Sequence, residues 1–249
     1  MKSVKSRTIP RFYVSKSLSP GAEVALTEAA RAHAAALRLR AGEAVRLFDG
    51  SGGEYAAVLE QSGRDMRATV GVFVDSARES PLQVSLAQCL ASGDRMDITL
   101  QKATELGVSA IQPLQSARSI VRLDAARMAR RRTHWQNVVI SACEQCGRNS
   151  VPTVAPIQDL ASWLATAPAT GPGLRLMLSP EATVSLRDLA PAGQISLLVG
   201  PEGGLSPEEQ QLAQAAGFVG LRLGPRVLRT ETAPLAALAA LQAMWGDLR

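Results

Sequence analysis

The chain has 249 residues, 46% of them hydrophobic, enough for a packed core and incompatible with a disordered chain. No apolar run reaches the ~20 residues of a bilayer span, the basic N-terminus lacks the apolar stretch of a secretory signal, and three cysteines cannot build a disulfide framework, so a cytoplasmic protein is expected. The net charge of +5 is concentrated: residues 1–22 carry Lys2, Lys5, Arg7, Arg11 and Lys16 and no acid, and residues 118–148 carry seven arginines against Asp124 and Glu144. Two such patches fit either a polyanionic partner or a solvated basic face. Arginine, 23 of the 27 bases, suits bidentate phosphate contacts.

Up to about Asp75 the pattern is β-rich. Residues 11–15 read as a short strand, Leu26 to Arg40 as an amphipathic helix, and Ala44–Phe48 and Glu54–Glu60 as strands joined by the glycine-rich hairpin loop Asp49–Gly53. A further strand is predicted over Arg67–Val74, completing a small barrel over residues 1–75, and a linker at Ser76–Pro81. From residue 81 to 249 strands alternate with helices. Val84–Leu90 is a strand, Asp94 is placed to cap a helix that runs to about Leu106 and stops at Gly107, and Val108–Leu114 is the next strand. A long Arg-rich helix runs from Asp124 to about Cys146. Strands follow near Thr153, at Leu174–Leu178, Gln194–Val199 and Val219–Leu223, with Ala165–Gly173 a loop. Ser206-Pro-Glu-Glu209 has the composition of a helix start, and a last helix spans Ala233 to Trp245. This alternation predicts an α/β domain with a mostly parallel sheet.

Ligands bind such sheets at the carboxyl ends of the strands. Two ends stand out: Ile195–Val199 leads into Gly200-Pro-Glu-Gly-Gly204, and Leu221–Leu223 leads into Gly224-Pro-Arg-Val-Leu-Arg-Thr-Glu-Thr232. A third, Leu178-Ser-Pro-Glu181, matches them. Each is either an ordinary strand-to-helix turn or a ligand loop, and in the first two the glycines admit a ligand to the main chain. The usual dinucleotide and nucleoside-triphosphate glycine motifs are absent, which leaves open a nucleoside-like ligand without a phosphate chain, read by main-chain amides and apolar contacts.

The run Leu197-Leu-Val-Gly-Pro-Glu-Gly-Gly-Leu-Ser206, followed by Leu223-Gly-Pro-Arg-Val-Leu-Arg-Thr-Glu-Thr-Ala233, resembles the paired signature of SPOUT methyltransferases. Gln101–Gly107, Arg118–Val121, Ala142–Arg148, Pro10–Val14 and the stretch from His33 to Gly50 narrow the resemblance to the 16S rRNA (uracil-N3)-methyltransferase (RsmE) family. It covers essentially the whole chain; the unusually Ala-rich stretch after His33 departs from the family pattern. The resemblance implies an N-terminal PUA-like RNA-binding β-barrel, and a SPOUT domain with a deep trefoil knot that binds S-adenosyl-L-methionine among three loops. On this sequence those loops supply Leu178, then Val199, Gly200, Glu202 and Gly203, then Leu223, Gly224, Arg226 and Leu228. It also implies a homodimer and, as substrate, 16S rRNA of the small ribosomal subunit.

Removing the N3 proton of uracil creates an imide anion, which a cation beside its carbonyl oxygens stabilises. Arg229 is assigned that role, and Glu231, or failing it Glu202, accepts the proton if burial raises its pKa. Arg7, Arg11, Arg118 and Arg131, with Arg130, Arg132, Glu144, Gln145 and Arg148, are the candidates for RNA contact. Three consecutive arginines at 130–132 cannot share one helix face. Glu144 and Arg148, one turn apart, are read either as an intrahelical ion pair or as part of the substrate cleft. Cys143 and Cys146 are a lone C-x-x-C with only His33 and His134 available, so buried cysteines are expected and zinc is not. Two other readings remain: a SPOUT enzyme acting on a ribose 2′-hydroxyl, and a non-catalytic rRNA-binding protein.

Overall fold

The structure is a computed structural model that describes residues 9–62, 65–120, 124–166 and 173–248. The chain divides into two units, residues 1–79 with 143–151, and residues 80–142 with 152–249.

In the first unit, alternating apolar residues build β1 (Arg11–Tyr13), β2 (Glu23–Ala25), β3 (Ala44–Phe48), β4 (Glu54–Ser62) and β5 (Asp65–Val74), with α1 (Glu28–Ala36) between β2 and β3. The sheet order is β1-β3-β4-β5-β2, antiparallel except for the parallel pair β1/β3. Phe12, Val45, Leu47, Leu59, Ala68 and Val70 form the core, with Ala30 and Ala34 of α1. Helix α1 is shorter than the sequence pattern predicted. Thr27 caps its start, and Arg38 takes a left-handed φ of 57° that turns the chain out after Leu37. The hairpin loop behaves as its composition predicts: Gly50, Gly52 and Gly53 all have positive φ, and the Phe73 ring occupies the space where a Cβ on Gly53 would lie.

The second unit contains β6 (Gln83–Cys89), α2 (Arg95–Glu105), β7 (Val108–Gln115), α3 (Ala125–Cys146, whose last turn belongs to the first unit), β8 (Thr153–Val154), β9 (Gln158–Asp159) and α4 (Leu160–Thr166). It continues with β10 (Leu174–Leu178), β11 (Val184–Ser185), a 3₁₀ turn at Leu186–Asp188, β12 (Gln194–Val199), α5 (Pro207–Ala215), β13 (Val219–Arg222) and α6 (Thr232–Trp245). The sheet order is β11-β13-β10-β12-β6-β7-β8, with β9 beside β7, and every pairing is parallel. The strands alternate between two covered faces. Ala87, Cys89 and Leu198 pack with Leu160 and Leu164 of α4 and Ala213 of α5. Leu86 and its neighbour Leu197 point the other way, where α2 and α6 pack and Leu100, Leu238 and Leu241 are buried. Among the described residues no helix is long and apolar enough to cross a membrane.

Two helix starts differ in how they are capped. Asp94 holds the cap position of α2 but makes no side-chain capping hydrogen bond, contrary to the sequence reading. Ser206 caps α5 as expected, in a reciprocal box with Glu209. Removing that hydroxyl in Ser206→Ala is expected to cost about 1 kcal/mol, read as a lower thermal midpoint.

Candidate active site

Because the sheet is all parallel, the segments after β6, β7, β10, β12 and β13 emerge at one edge, and there they wall a single cavity of about 560 Å³. That volume lies within the ~300–1,000 Å³ usual for small-molecule and cofactor sites. Leu178 lines it from the end of β10; Val199, Gly200, Glu202 and Gly203 from the end of β12; and Leu223, Gly224, Arg226 and Leu228 from the segment after β13. Arg229 and Glu231 line it as well. The structure thus brings both catalytic candidates and all the cofactor candidates to one place, together with Arg118.

The loops are held by interactions that sequence inspection does not show. The buried Thr230 donates its hydroxyl to the Gly200 carbonyl at 2.8 Å and accepts from the buried Gln88 Nε2 at 3.3 Å, tying the β12 and β13 loops together. Gly200 cannot carry a side chain without displacement: its Cβ would lie 3.1 Å from the Leu205 nitrogen. The buried carboxylate of Glu209 accepts from its own cap, Ser206 N–H, at 2.9 Å and from Ala117 N–H at 2.7 Å. Beside it Arg118 donates to the Gly203 carbonyl at 2.9 Å. Arg118 therefore already supports a cavity loop, although its side chain is exposed.

The two carboxylates of the cavity are held differently. Burial pulls the Glu202 carboxyl upward, but the Ser92 hydroxyl and N–H, its own backbone N–H and Arg95 outweigh that and leave it below its ordinary value. It stays ionised and its hydrogen bonds are spent on Ser92, which makes it a poor proton acceptor. Glu231 Oε2 lies 3.4 Å from Arg95 Nε, is shielded from solvent, and has no hydrogen-bond partner. Arg229 and Arg226 are exposed, and among the described residues neither guanidinium makes a hydrogen bond or ion pair. They are the cavity cations left free for a ligand.

The remaining candidates are elsewhere. Arg7 lies outside the described residues, as does Val121 of the Arg118 motif. Arg131 and Gln145 are exposed on α3, as are Arg130 and Arg132, the last donating to the Val154 carbonyl at 2.9 Å. Arg11, Glu144 and Arg148 are absorbed in the first unit, and the 144/148 pair is not an intrahelical ion pair. Glu144 accepts from Tyr13 N–H at 3.0 Å and contacts His33 Nδ1 at 3.1 Å, with its side chain 8% exposed. Arg148 lies beyond the helix end, because Gly147 turns the chain with φ 93°, and it pairs with Glu79 at 2.6 Å. Arg11 donates to the carbonyls of Cys143 and Arg148 and to Glu54. These side chains hold residues 143–151 against the sheet of their own unit, which leaves them little to offer a phosphate.

Burial raises the Glu144 carboxyl above its usual range, against the lowering effect of Tyr13 N–H, His33 and Arg11. A carboxyl raised in the folded state contributes stability that is present below its unfolded pKa and lost as pH rises through the folded value. Glu144→Gln keeps an acceptor for Tyr13. In urea melts, the stability difference is expected to move against the wild type as pH rises above about 4. Cys143 is buried, and burial pushes its thiol up to about 12, as expected of a structural cysteine, whereas Cys146 is only half-buried. Among the described residues no three His, Cys, Asp or Glu side chains are grouped to hold a metal ion.

A wholly parallel α/β unit whose strand-end loops wall one cavity is the arrangement of a cofactor- or substrate-binding domain. Residues 78–242 match the family model of the RNA methyltransferase domain, and residues 26–65 that of the RNA methyltransferase PUA domain. A ribosomal RNA small subunit methyltransferase E of Neisseria gonorrhoeae, solved with S-adenosyl methionine bound, is 46% identical and superposes with a TM-score of 0.90 over 97% of this chain and 100% of its own. A putative methyltransferase of Legionella pneumophila, in complex with SAM, is 38% identical with a TM-score of 0.91, covering 96% of this chain and 99% of its own. A ribosomal RNA small subunit methyltransferase E of Mycobacterium bovis is 36% identical over 92% of this chain and 90% of its own. The chain belongs to this RNA methyltransferase family.

Proposed function

We propose that the protein transfers a methyl group from S-adenosylmethionine to N3 of a uridine in 16S rRNA of the small ribosomal subunit. The observation that carries this is the cavity itself: three strand-end loops, two of them glycine-bearing and tied to each other by Thr230, in a chain of the RNA methyltransferase family. The residues present fit the cofactor. Leu178, Val199, Leu223 and Leu228 offer apolar walls to a nucleoside, and Gly200, whose Cβ would crowd the backbone of Gly204 and Leu205, lets the β12 loop fold tightly at the cavity wall. Glu202 and the exposed Arg226 supply charge for the polar ends.

When bound, S-adenosylmethionine supplies an electrophilic methyl group, so the protein's own task is alignment and management of one proton. Arg229, free of protein partners, stabilises the charge that develops on the uracil carbonyl oxygens. Glu231 accepts the N3 proton, since Glu202 is committed to Ser92. N3 lies on the Watson–Crick edge, so the base is taken unpaired or flipped out. Residues 1–75 act as the PUA-like RNA-binding domain and 81–249 as the SPOUT methyltransferase domain, with the chain knotted there. Arg7, Arg118, Arg131 and Gln145 contact the RNA, the arginines through its phosphates. The working form is a cytoplasmic homodimer without a metal.

The test is methyl transfer to purified small subunits, with the modified nucleoside identified by mass spectrometry and donor binding followed by calorimetry. N3-methyluridine is expected. A ribose-methylated product would assign another reaction, and RNA binding without donor binding would make the protein a non-catalytic binder.

A further inference from the structure

Arg95 opens α2, at the carboxyl end of β6, and meets carboxylates from two different cavity loops. Its Nη1 lies 3.3 Å from Glu202 Oε1 and its Nε 3.4 Å from Glu231 Oε2. The same Nη1 donates to the Ser92 hydroxyl at 2.7 Å and carbonyl at 3.2 Å. Ser92 in turn donates its N–H and hydroxyl to Glu202 Oε1, at 2.8 and 2.7 Å. One end of this set is therefore rigid: Glu202 is fixed by three donors at the turn before α2.

The other end is not. Glu231 stands at the N-terminus of α6, and its Oε2 is solvent-shielded with no hydrogen bond, so Arg95 is the cation that compensates it. A planar guanidinium can address both carboxylates at once, which an ammonium, as a single point charge, cannot. The hydroxyl of Thr230 joins the same two loops on the buried side, through the Gly200 carbonyl. The loops are thus fixed relative to each other at two points, one neutral and buried, one ionic and facing the cavity.

We infer that Arg95 is a positioning residue for methyl transfer: it sets the separation of the Gly200–Gly204 and Leu223–Glu231 loops and orients the Glu231 carboxylate towards the cavity. This rests on the reading of the cavity as the methyl-transfer site. Misplacement of a reacting group by about 1 Å costs on the order of 10²-fold in rate, so the effect belongs in the chemical step more than in donor affinity.

The experiment measures single-turnover methyl transfer and the Kd for S-adenosylmethionine in wild type, Arg95→Met, Arg95→Lys, Glu202→Gln and the double variant Arg95→Met/Glu202→Gln. Arg95→Met is expected to lose about 30- to 100-fold in rate with less than about tenfold change in Kd. Arg95→Lys should recover part of that loss, because it keeps the charge but not the two-sided geometry. Since Arg95 acts partly through Glu202, the two substitutions should be less than additive in the double variant. A rate within threefold of wild type in Arg95→Met, or full additivity with Glu202→Gln, overturns the inference. If Arg95→Met fails to fold, the same criteria apply to Arg95→Lys and its double variant. An active wild type with unaffected Arg95 variants removes this inference alone, whereas a wild type that neither binds the donor nor transfers methyl removes the function it rests on.

Discussion

Arg229→Ala is expected to lower the single-turnover rate of uridine methylation by about 10²–10³-fold while leaving the Kd for S-adenosylmethionine within a few-fold of wild type. The size follows from where the side chain stands. Arg95 and Arg118 also line the cavity, but each is occupied with protein groups, Arg95 with two carboxylates and Arg118 with the Gly203 carbonyl. The Arg229 guanidinium has no such partner among the described residues and is exposed at the cavity wall. Its main chain is separately secured: its carbonyl accepts from Thr232 and Ala233 N–H at 2.9 Å at the start of α6, and the next residue, Thr230, is buried. Truncation therefore removes a cation without releasing the loop. Arg229→Lys should fall between, keeping a charge but losing the fork of donors. A rate within threefold of wild type in Arg229→Ala would assign stabilisation of the uracil oxygens to another group.

The second large effect is on stability. Arg11→Ala is expected to destabilise the first unit by about 3 kcal/mol, the lower end of the cost of breaking a buried ion pair from one side. Arg11 pairs with Glu54 at 3.0 Å, both side chains nearly buried, and donates to the Cys143 carbonyl at 2.6 Å and the Arg148 carbonyl at 3.0 Å. It also bonds the Asn149 side chain and lies over the Phe48 ring, 4.6 Å from its centroid. Truncation strands several acceptors at once. Glu54 keeps a second cation, Arg46, at 3.6 Å, which holds the loss at the low end. Urea unfolding should show the decrease, together with earlier protease cleavage within residues 143–151. A change below about 0.5 kcal/mol, the range of ordinary surface substitutions, would mean that Arg11 does not secure this segment.

These two arginines mark where sequence reading reaches and where it stops. Strands Ala44–Phe48, Leu174–Leu178 and Gln194–Val199 were legible to the residue, because apolar runs bounded by glycine or proline have few alternatives. The three cavity loops were legible for a related reason: a Gly-Pro turn, or Ser-Pro after Leu178, at a strand end is a local signal, and a parallel sheet puts all such ends on one edge. The short elements were not. Glu23–Ala25, Gln158–Asp159 and Val184–Ser185 are too brief to show a period and exist because a neighbouring strand offers them a partner. Leu160–Thr166 also passed unnoticed, being a helix of only two turns.

Long-range pairing was the larger loss. Glu144 and Arg148, four residues apart, suggested each other, yet their partners His33 and Glu79 lie 111 and 69 positions away. Arg11 reads in sequence as one of five cations in a basic tail, and in the structure it is nearly buried. The charge total at the N-terminus could not reveal this, because burial is decided by the acceptors that residues 143–151 bring. Arg95 was missed for the same reason: nothing near it in sequence announces carboxylates from two later loops. Thr230 lay inside a motif already noted, but only its hydrogen bond to Gly200 shows what it does.

The most direct test is to quantify N3-methyluridine in small-subunit rRNA from cells lacking this protein, and again after complementation with wild type or Arg229→Ala. The account predicts that the modified nucleoside disappears, returns with wild type, and does not return with the variant. Persistence of N3-methyluridine in the deletion strain, or its full restoration by Arg229→Ala, would contradict it.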